Sequence, residues 1–401
     1  MQRNLKVTGM NQLVLFLVLF SVTILSSCNN KTGPVGGGLI PVSEVSNDTL
    51  MATGFTPATL DGYSGKLTFF PMGSYDDQLF GDVESIAYLK PTVIGVKTDT
   101  TPNTSYSMYL DLVFDSVSVY GDTLALSNFA IYKVTEGWRG NEFMLSNKPS
   151  FDTATPIGVF SKGRQDSVKI KLSNTWVNEY AAVLNDTSAT RDSTFQYDFF
   201  GIAIAPIGGS SKISFPTIAE SRFRLINESQ SDTIYTRIHD WAYHINRTNV
   251  VQVPERLTLI NTLENFYKLS LKEELDTLQA QNLLKAELIV YEDTEQLVNT
   301  LPANHTRLDV SGVALKNGFS TSLVYDLFFK EPESRGLYDS KNSAYRFDIT
   351  PLVNTYIFGT LETDDLYIDI RPSDGLLRST ILYDETAPDS LKPKLILTIA
   401  K

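Results

Sequence analysis

The 401-residue chain contains one cysteine, Cys28, and three histidines, His239, His244 and His305. Zinc sites draw on Cys and His at short, set spacings. Here there is no second cysteine and no His-Glu-x-x-His. His239 and His244 stand five apart in a strand-like stretch, which puts them on opposite faces. The adjacent carboxylates Asp76–Asp77, Glu273–Glu274 and Asp364–Asp365 would also point to opposite sides of a strand and make poor acid–base couples. A glycoside hydrolase, the remote alternative, needs two carboxylates brought about 5–9 Å apart by the fold. The loop GSYDDQLFGD offers Asp76, Asp77 and Asp82 as calcium candidates, without the Asp-x-Asp-x-Asp-Gly spacing of a calcium loop. No phosphate-binding Gly-rich loop and no Gly-x-Ser-x-Gly occurs. Trp138, in TEGWRGN, and Trp241, in HDWAYH, sit near loops, where an aromatic ring can stack on a sugar through its apolar face. They are the candidate glycan platforms. The expectation is no catalytic residue, no metal and no cofactor.

Cys28 has a different chemistry, and its neighbours define it. Residues 1–12 carry Arg3 and Lys6 and no acid, and Leu13 to Ile24 is apolar except for Ser21 and Thr23. A basic region, a short apolar run and small residues before a cut describe a secretory signal. Twelve helical residues rise only about 18 Å, too short for a hydrocarbon core of about 30 Å. The Leu25-Ser26-Ser27-Cys28 stretch resembles the bacterial lipobox. That resemblance implies cleavage of residues 1–27, a covalent lipid on the Cys28 sulfur, and a membrane anchor. With its one thiol so used, the mature chain forms no internal disulfide, and its core alone must hold the fold.

The formal net charge is −12, and loss of Arg3 and Lys6 with the signal deepens it. Such a balance disfavours nucleic acid and provides no attraction to anionic headgroups. Residues 28–50 read as a flexible tether, with Gly36, Gly37 and Gly38 after Pro34 and no periodicity.

Beyond the tether a pattern occurs twice. FGIAIAP (Phe200 to Pro206) matches LYIDIRP (Leu366 to Pro372), each alternating and each ending at a proline that cannot donate to a ladder. Upstream, LSNTWVNEYAAVL (Leu172 to Leu184) matches ITPLVNTYIFGTL (Ile349 to Leu361) through Val-Asn-x-Tyr. Trp176, Val177, Tyr180, Val183 and Leu184 share one helical face, as do Leu352, Val353, Tyr356 and Ile357, so Trp176 belongs to the core. Ser173 and Thr350 suit the cap position, and Pro351 the first helical residue. A strand precedes each helix; a strand, a loop and a last strand follow it. Alternation over 110–115, 129–134 and 284–293 adds strands, and a helix is plausible at 271–281. The predicted architecture is all-β: two tandem jelly-roll-like antiparallel β-sandwiches, each with a short helix, at 51–228 and 229–401.

FDITPLVNTYIFG and KPKLILTI resemble the signature and closing strand of the DNRLRE-type β-sandwich module, and AIYKVTEGW (130–138) fits an earlier part of it. GGGLIP (36–41), GSYDDQLFG (73–81) and DSVSVYGDT (115–123) resemble a lipoprotein family of the Bacteroidota, the domain of unknown function numbered 4270. These resemblances imply secreted sandwiches and an outer-membrane anchor, and bring no site residue. Surface-exported lipoproteins of that phylum often carry acids after the cysteine. Here Asn29, Asn30 and Lys31 follow, so the cell surface and the periplasmic face both stay open. The expected role is a non-catalytic envelope lipoprotein that binds or assembles with an envelope protein. A glycan-binding role through Trp138 or Trp241 is the alternative.

Overall fold

The computed structural model describes residues 45–59, 61–93, 106–209, 211–227, 232–261, 266–271, 275–276, 282–300, 313–316, 333–358, 365–370 and 374–400. Cys28, the signal and most of the tether lie outside them, as does most of the helix expected at 271–281. The tether does not reach residue 50, because Val45–Met51 is already a strand.

The chain is all-β and its sheets are antiparallel, as the alternating stretches predict. The leading strands are β1 (Val45–Met51) and β2 (Phe55–Ala58). A first series follows: β3 (Met72–Asp77), β4 (Gly81–Pro91), β5 (Tyr106–Gly121), β6 (Ser127–Val134), β7 (Phe151–Asp152), β8 (Gly158–Lys162), β9 (Ser167–Lys171), helices α1 (Asn174–Asn185) and α2 (Arg191–Tyr197), then β10 (Ile202–Pro206), β11 (Lys212–Pro216) and β12 (Arg222–Asn227). A second pair of leading strands, β13 (Asp232–Thr236) and β14 (Ile238–Thr248), opens the other half. Then come β15 (Arg256–Ile260), β16 (Phe266–Ser270), β17 (Asn282–Tyr291), α3 (Thr294–Thr300), β18 (Val313–Lys316), β19 (Glu333–Arg335), β20 (Leu337–Asp339), β21 (Ala344–Asp348), α4 (Thr350–Ile357), β22 (Asp365–Ile370), β23 (Ser379–Tyr383) and β24 (Lys394–Ala400).

The two halves repeat one pairing scheme. In the first, β5 lies between β12 and β9, β10 lies between β4 and β6, and β3 pairs with β11. In the second, β17 lies between β24 and β21, β22 lies between β16 and β18, and β15 pairs with β23. The strand–helix–strand pattern seen twice in the sequence thus lies within two series of like strand pairing.

The leading strands, however, are traded. β13 and β14 precede the second series along the chain, yet they pair with β12 and β4 of the first. β1 and β2 precede the first series, yet they flank β24 and β16 of the second. The expected boundary between 228 and 229 therefore separates the copies along the chain and not the modules in space. The cores agree. Ile234, Ile238, Tyr243 and Ile245 join the first module's apolar cluster, while Ala52 and Phe55 join the second's. Strand pairing is satisfied by either source of backbone donors, so a sequence repeat alone cannot say which copy's strands close which sheet.

The helices behave as their apolar faces require. Trp176, Val177, Tyr180, Ala181 and Leu184 of α1 are buried. The Trp176 ring stacks on Tyr180 at 6.0 Å and meets Phe199 at 5.7 Å. The caps differ from expectation. Ser173 makes no side-chain cap bond, and its hydroxyl has no partner; its backbone N–H instead donates to the Ile157 carbonyl. Thr350 lies inside α4, and Asp348 two residues earlier accepts both its N–H, at 3.1 Å, and its hydroxyl, at 2.6 Å. Those bonds hold the Asp348 carboxyl below its usual range.

Candidate functional site

Neither candidate indole is an open platform. Trp138 is 9% exposed, tilted on Tyr88 at 5.9 Å and edge-on to Phe143 at 5.7 Å, and its Nε1 donates to the Phe200 carbonyl at 2.8 Å. Trp241, on β14, packs against the first core; its Nε1 donates to the Leu67 carbonyl at 2.6 Å, and the Lys66 ammonium sits 5.4 Å from its ring centre. The segment before β3 folds tightly against the Trp138 loop: a Cβ on Gly65 would fall 1.7 Å from the Gly140 carbonyl oxygen, so only glycine fits. The Lys66 ammonium pairs with Asp240 at 3.0 Å, and the Asp240 carboxylate accepts the Gly140 N–H at 3.3 Å. Loop chemistry that reads as exposed in the sequence is here engaged in packing, fully for Trp138 and in part for Trp241.

The acidic loop has a comparable role. Asp77 is buried, and its Oδ1 accepts the Leu79 and Phe80 N–H groups at 2.9 and 2.8 Å while its Oδ2 accepts the Tyr120 hydroxyl at 2.7 Å. Asp82 accepts the Asn249 amide at 2.6 Å, and Asp76 is exposed opposite it in the β3–β4 ladder. The turn Asp77 closes is what places Leu79 and Phe80 against Ile260, Leu297 and Ile381 of the second module. Asp77 thus spends both its oxygens on turn and hydroxyl, and the three carboxylates do not converge as calcium ligands. Among the described residues, no group of three or more His, Cys, Asp or Glu is gathered for a metal.

His244 lies inside and His239 is partly buried. His239 meets Phe195 edge-on at 5.3 Å, and the buried His244 bonds through Nδ1 to the Leu145 carbonyl at 2.7 Å; burial lowers both below the ordinary value. His305 lies outside the described residues. Three buried lysines are more unusual. Lys90 donates to the Phe195 carbonyl and lies 4.3 Å from that ring's centre. Lys162 and Lys212 both donate to the Gly163 carbonyl, at 2.9 and 3.0 Å. Burial, helped by Lys212, brings Lys162 down to about 8, and burial brings Lys90 down to about 8.

The arrangement with the most chemistry on its surface is a sheet face. Along β5, Leu110 and Leu112 point to the core, so Tyr109 and Asp111 point outward. Lys169 and Lys171 of β9 lie opposite Asp111 and Tyr109 on one side; Arg222 and Arg224 of β12 lie opposite the same two residues on the other. Tyr235 of β13 lies beyond Arg224 and is exposed. Asp111 pairs with Arg224 through Nη2 at 2.6 Å and with Arg222 at 3.9 Å. The bonds to Asp111 raise Arg224 further above its ordinary value. Lys169 sits 4.0 Å from the Tyr109 ring centre and Arg222 5.0 Å from that of Tyr235, each held as a cation–π contact. Four cations thus surround one anion in a chain with 34 basic and 46 acidic residues. Each Lys-x-Lys and Arg-x-Arg is legible in the sequence as the outer side of a strand. Their meeting across β5 is not, because it depends on which strands pair.

No family model matches the chain, and no curated protein matches it. Among solved structures, the C-terminal domain of the Streptococcus pyogenes antigen I/II-family protein AspA is 10% identical, with 83% of this chain and 91% of that chain covered and a TM-score of 0.16. The Streptococcus agalactiae AgI/II polypeptide BspA C-terminal domain is 11% identical, with 87% and 91% covered and a TM-score of 0.13. At these scores neither likeness carries an inference about activity.

Proposed function

We propose that this chain is a lipid-anchored protein of the bacterial cell envelope whose two β-modules bind another envelope protein without transforming it. The observation that carries the binding role is the β9–β5–β12 face, where the fold gathers cations on a sheet that no other element covers among the described residues, in an otherwise acidic chain. The anchor rests on Leu25-Ser26-Ser27-Cys28 and the Gly-rich stretch after it. In this reading Cys28 carries thioether-linked lipid, residues 29–44 span to β1, and the modules stand off an outer-membrane leaflet, on the surface or the periplasmic side. The resemblance to Bacteroidota lipoproteins accords with it.

Mass spectrometry of the N-terminal peptide from purified membranes tests the anchor: an acylated Cys28 as first residue is expected, and a free thiol on an uncut chain would refute it. Crosslinking in cells, followed by affinity capture of the full-length protein in detergent, tests the binding role. A specific co-purifying envelope protein is expected; repeated recovery of the chain alone would count against it.

A further inference from the structure

The duplication contains its own control for the cationic face. The N–H of Leu172 donates to the Met108 carbonyl at 2.9 Å, and the N–H of Ile349 donates to the Ala286 carbonyl at 3.0 Å. These matching bonds align Tyr109 with Glu287, Lys171 with Asp348, and Lys169 with Arg346. In the second module the charges close on themselves: Glu287 pairs with Lys285 at 3.0 Å and Arg346 at 3.2 Å, and Asp339 pairs with Arg346 at 3.3 Å. In the first module, among the described residues, Lys169 and Lys171 have no carboxylate partner. Excess positive charge is therefore a property of one copy and not of the fold.

The geometry selects an anion of particular shape. Lys169 and Lys171 are two residues apart on one strand, as are Arg222 and Arg224 on another, so each column repeats at roughly 6.8 Å. The columns flank β5 at about two strand spacings, roughly 10 Å apart. An extended peptide repeats its side chains on one side at the same interval of roughly 6.8 Å. A sugar polymer would need open ring faces, whereas Tyr109 and Tyr235 already hold Lys169 and Arg222 over theirs. A uniform anionic surface would meet the repulsion of Asp111 at the centre of the patch. We infer that the β9–β5–β12 face docks an extended acidic segment of a partner protein, with carboxylates at every second residue facing the lysine and arginine columns. This deepens the proposed binding role and rests on it.

The test uses full-length protein in detergent and a labelled peptide of alternating Glu and Thr, with a block peptide of the same composition as comparison. Fluorescence anisotropy should show saturable binding of the alternating peptide that weakens as salt rises. Lys169→Gln with Lys171→Gln should weaken it roughly twofold to thirtyfold, the effect of losing two exposed ion pairs. Lys285→Gln, on the matching face of the second module, should leave it unchanged. Equal affinity for the block peptide, or equal loss with Lys285→Gln, would overturn the assignment. So would binding to anionic phospholipid vesicles or to a polyuronate in place of the peptide. If the Lys169/Lys171 variant still captures its envelope partner in full, this face falls and the broader binding role stands. If the peptide binds but no partner is ever captured, the reverse holds.

Discussion

The two carboxylate oxygens of Asp77 take three donors, from Leu79, Phe80 and Tyr120, in a buried turn. Losing them would leave two N–H groups and a hydroxyl short of acceptors, at about 1–3 kcal/mol for a buried group. Asp77→Ala should lower stability by roughly that amount, with Asp77→Asn milder because its amide oxygen can still accept the N–H pair. Urea unfolding would measure both, and equal stability of Asp77→Ala and wild type would remove the turn from its assigned role. The buried lysines govern response to base. Lys90 and Lys162 titrate at about 8 in the folded chain against an ordinary 10.5, so the unfolded chain binds more protons between those values. Stability should therefore rise with pH from about 8 towards 10. Above about 10 the sign reverses, because burial raises Tyr63, Tyr88, Tyr120, Tyr180 and Tyr243 and the unfolded chain loses those protons first. Urea midpoints across this range should peak near pH 10, and Lys162→Met should flatten the rise. A flat profile in the wild type would contradict the assigned burial.

At the scale of the element, the exchanged strands make an asymmetric prediction. Phe55 is buried in the second module's core, β2 pairs with β16, and the Asn47 side chain accepts the Thr398 hydroxyl at 3.0 Å. Phe55→Ala should cost about 3–5 kcal/mol. Its effect should fall on β16 and β24 although residue 55 precedes the whole first series. Hydrogen exchange should show lost protection there, with β4 and β10 retained. Loss confined to β3–β12 would mean that the leading strands close their own copy. The helices illustrate a smaller contest. A hydroxyl residue stands at the start of both, yet one donates its backbone N–H to Ile157, just before β8, and the other is capped by an aspartate two residues earlier. Local preference names candidates for a cap, and the acceptors the fold brings near decide among them.

For the whole molecule, net charge and charge placement tell different stories. A balance of −12 suggests a surface that repels anions, and yet one sheet face is cationic because four basic side chains on two strands meet across a third. Cys28→Ser should release the protein from membranes into the soluble fraction, since the acyl chains and not this face provide the anchor in the proposed reading. Retention of the serine variant on membranes would shift that role to the protein surface.

Alternation and helical faces were enough to determine an all-β chain with antiparallel sheets and the helices at Asn174–Asn185 and Thr350–Ile357, because periodicity reports which side of an element meets a core. The fate of Trp138, Trp241 and Asp77, the ownership of the leading strands and the cationic face were decided only by the tertiary structure. All of them depend on contacts between residues distant in the chain. An indole or a carboxylate in a loop looks the same in sequence whether it faces water or another loop, and a backbone edge accepts whichever strand the folded chain brings to it.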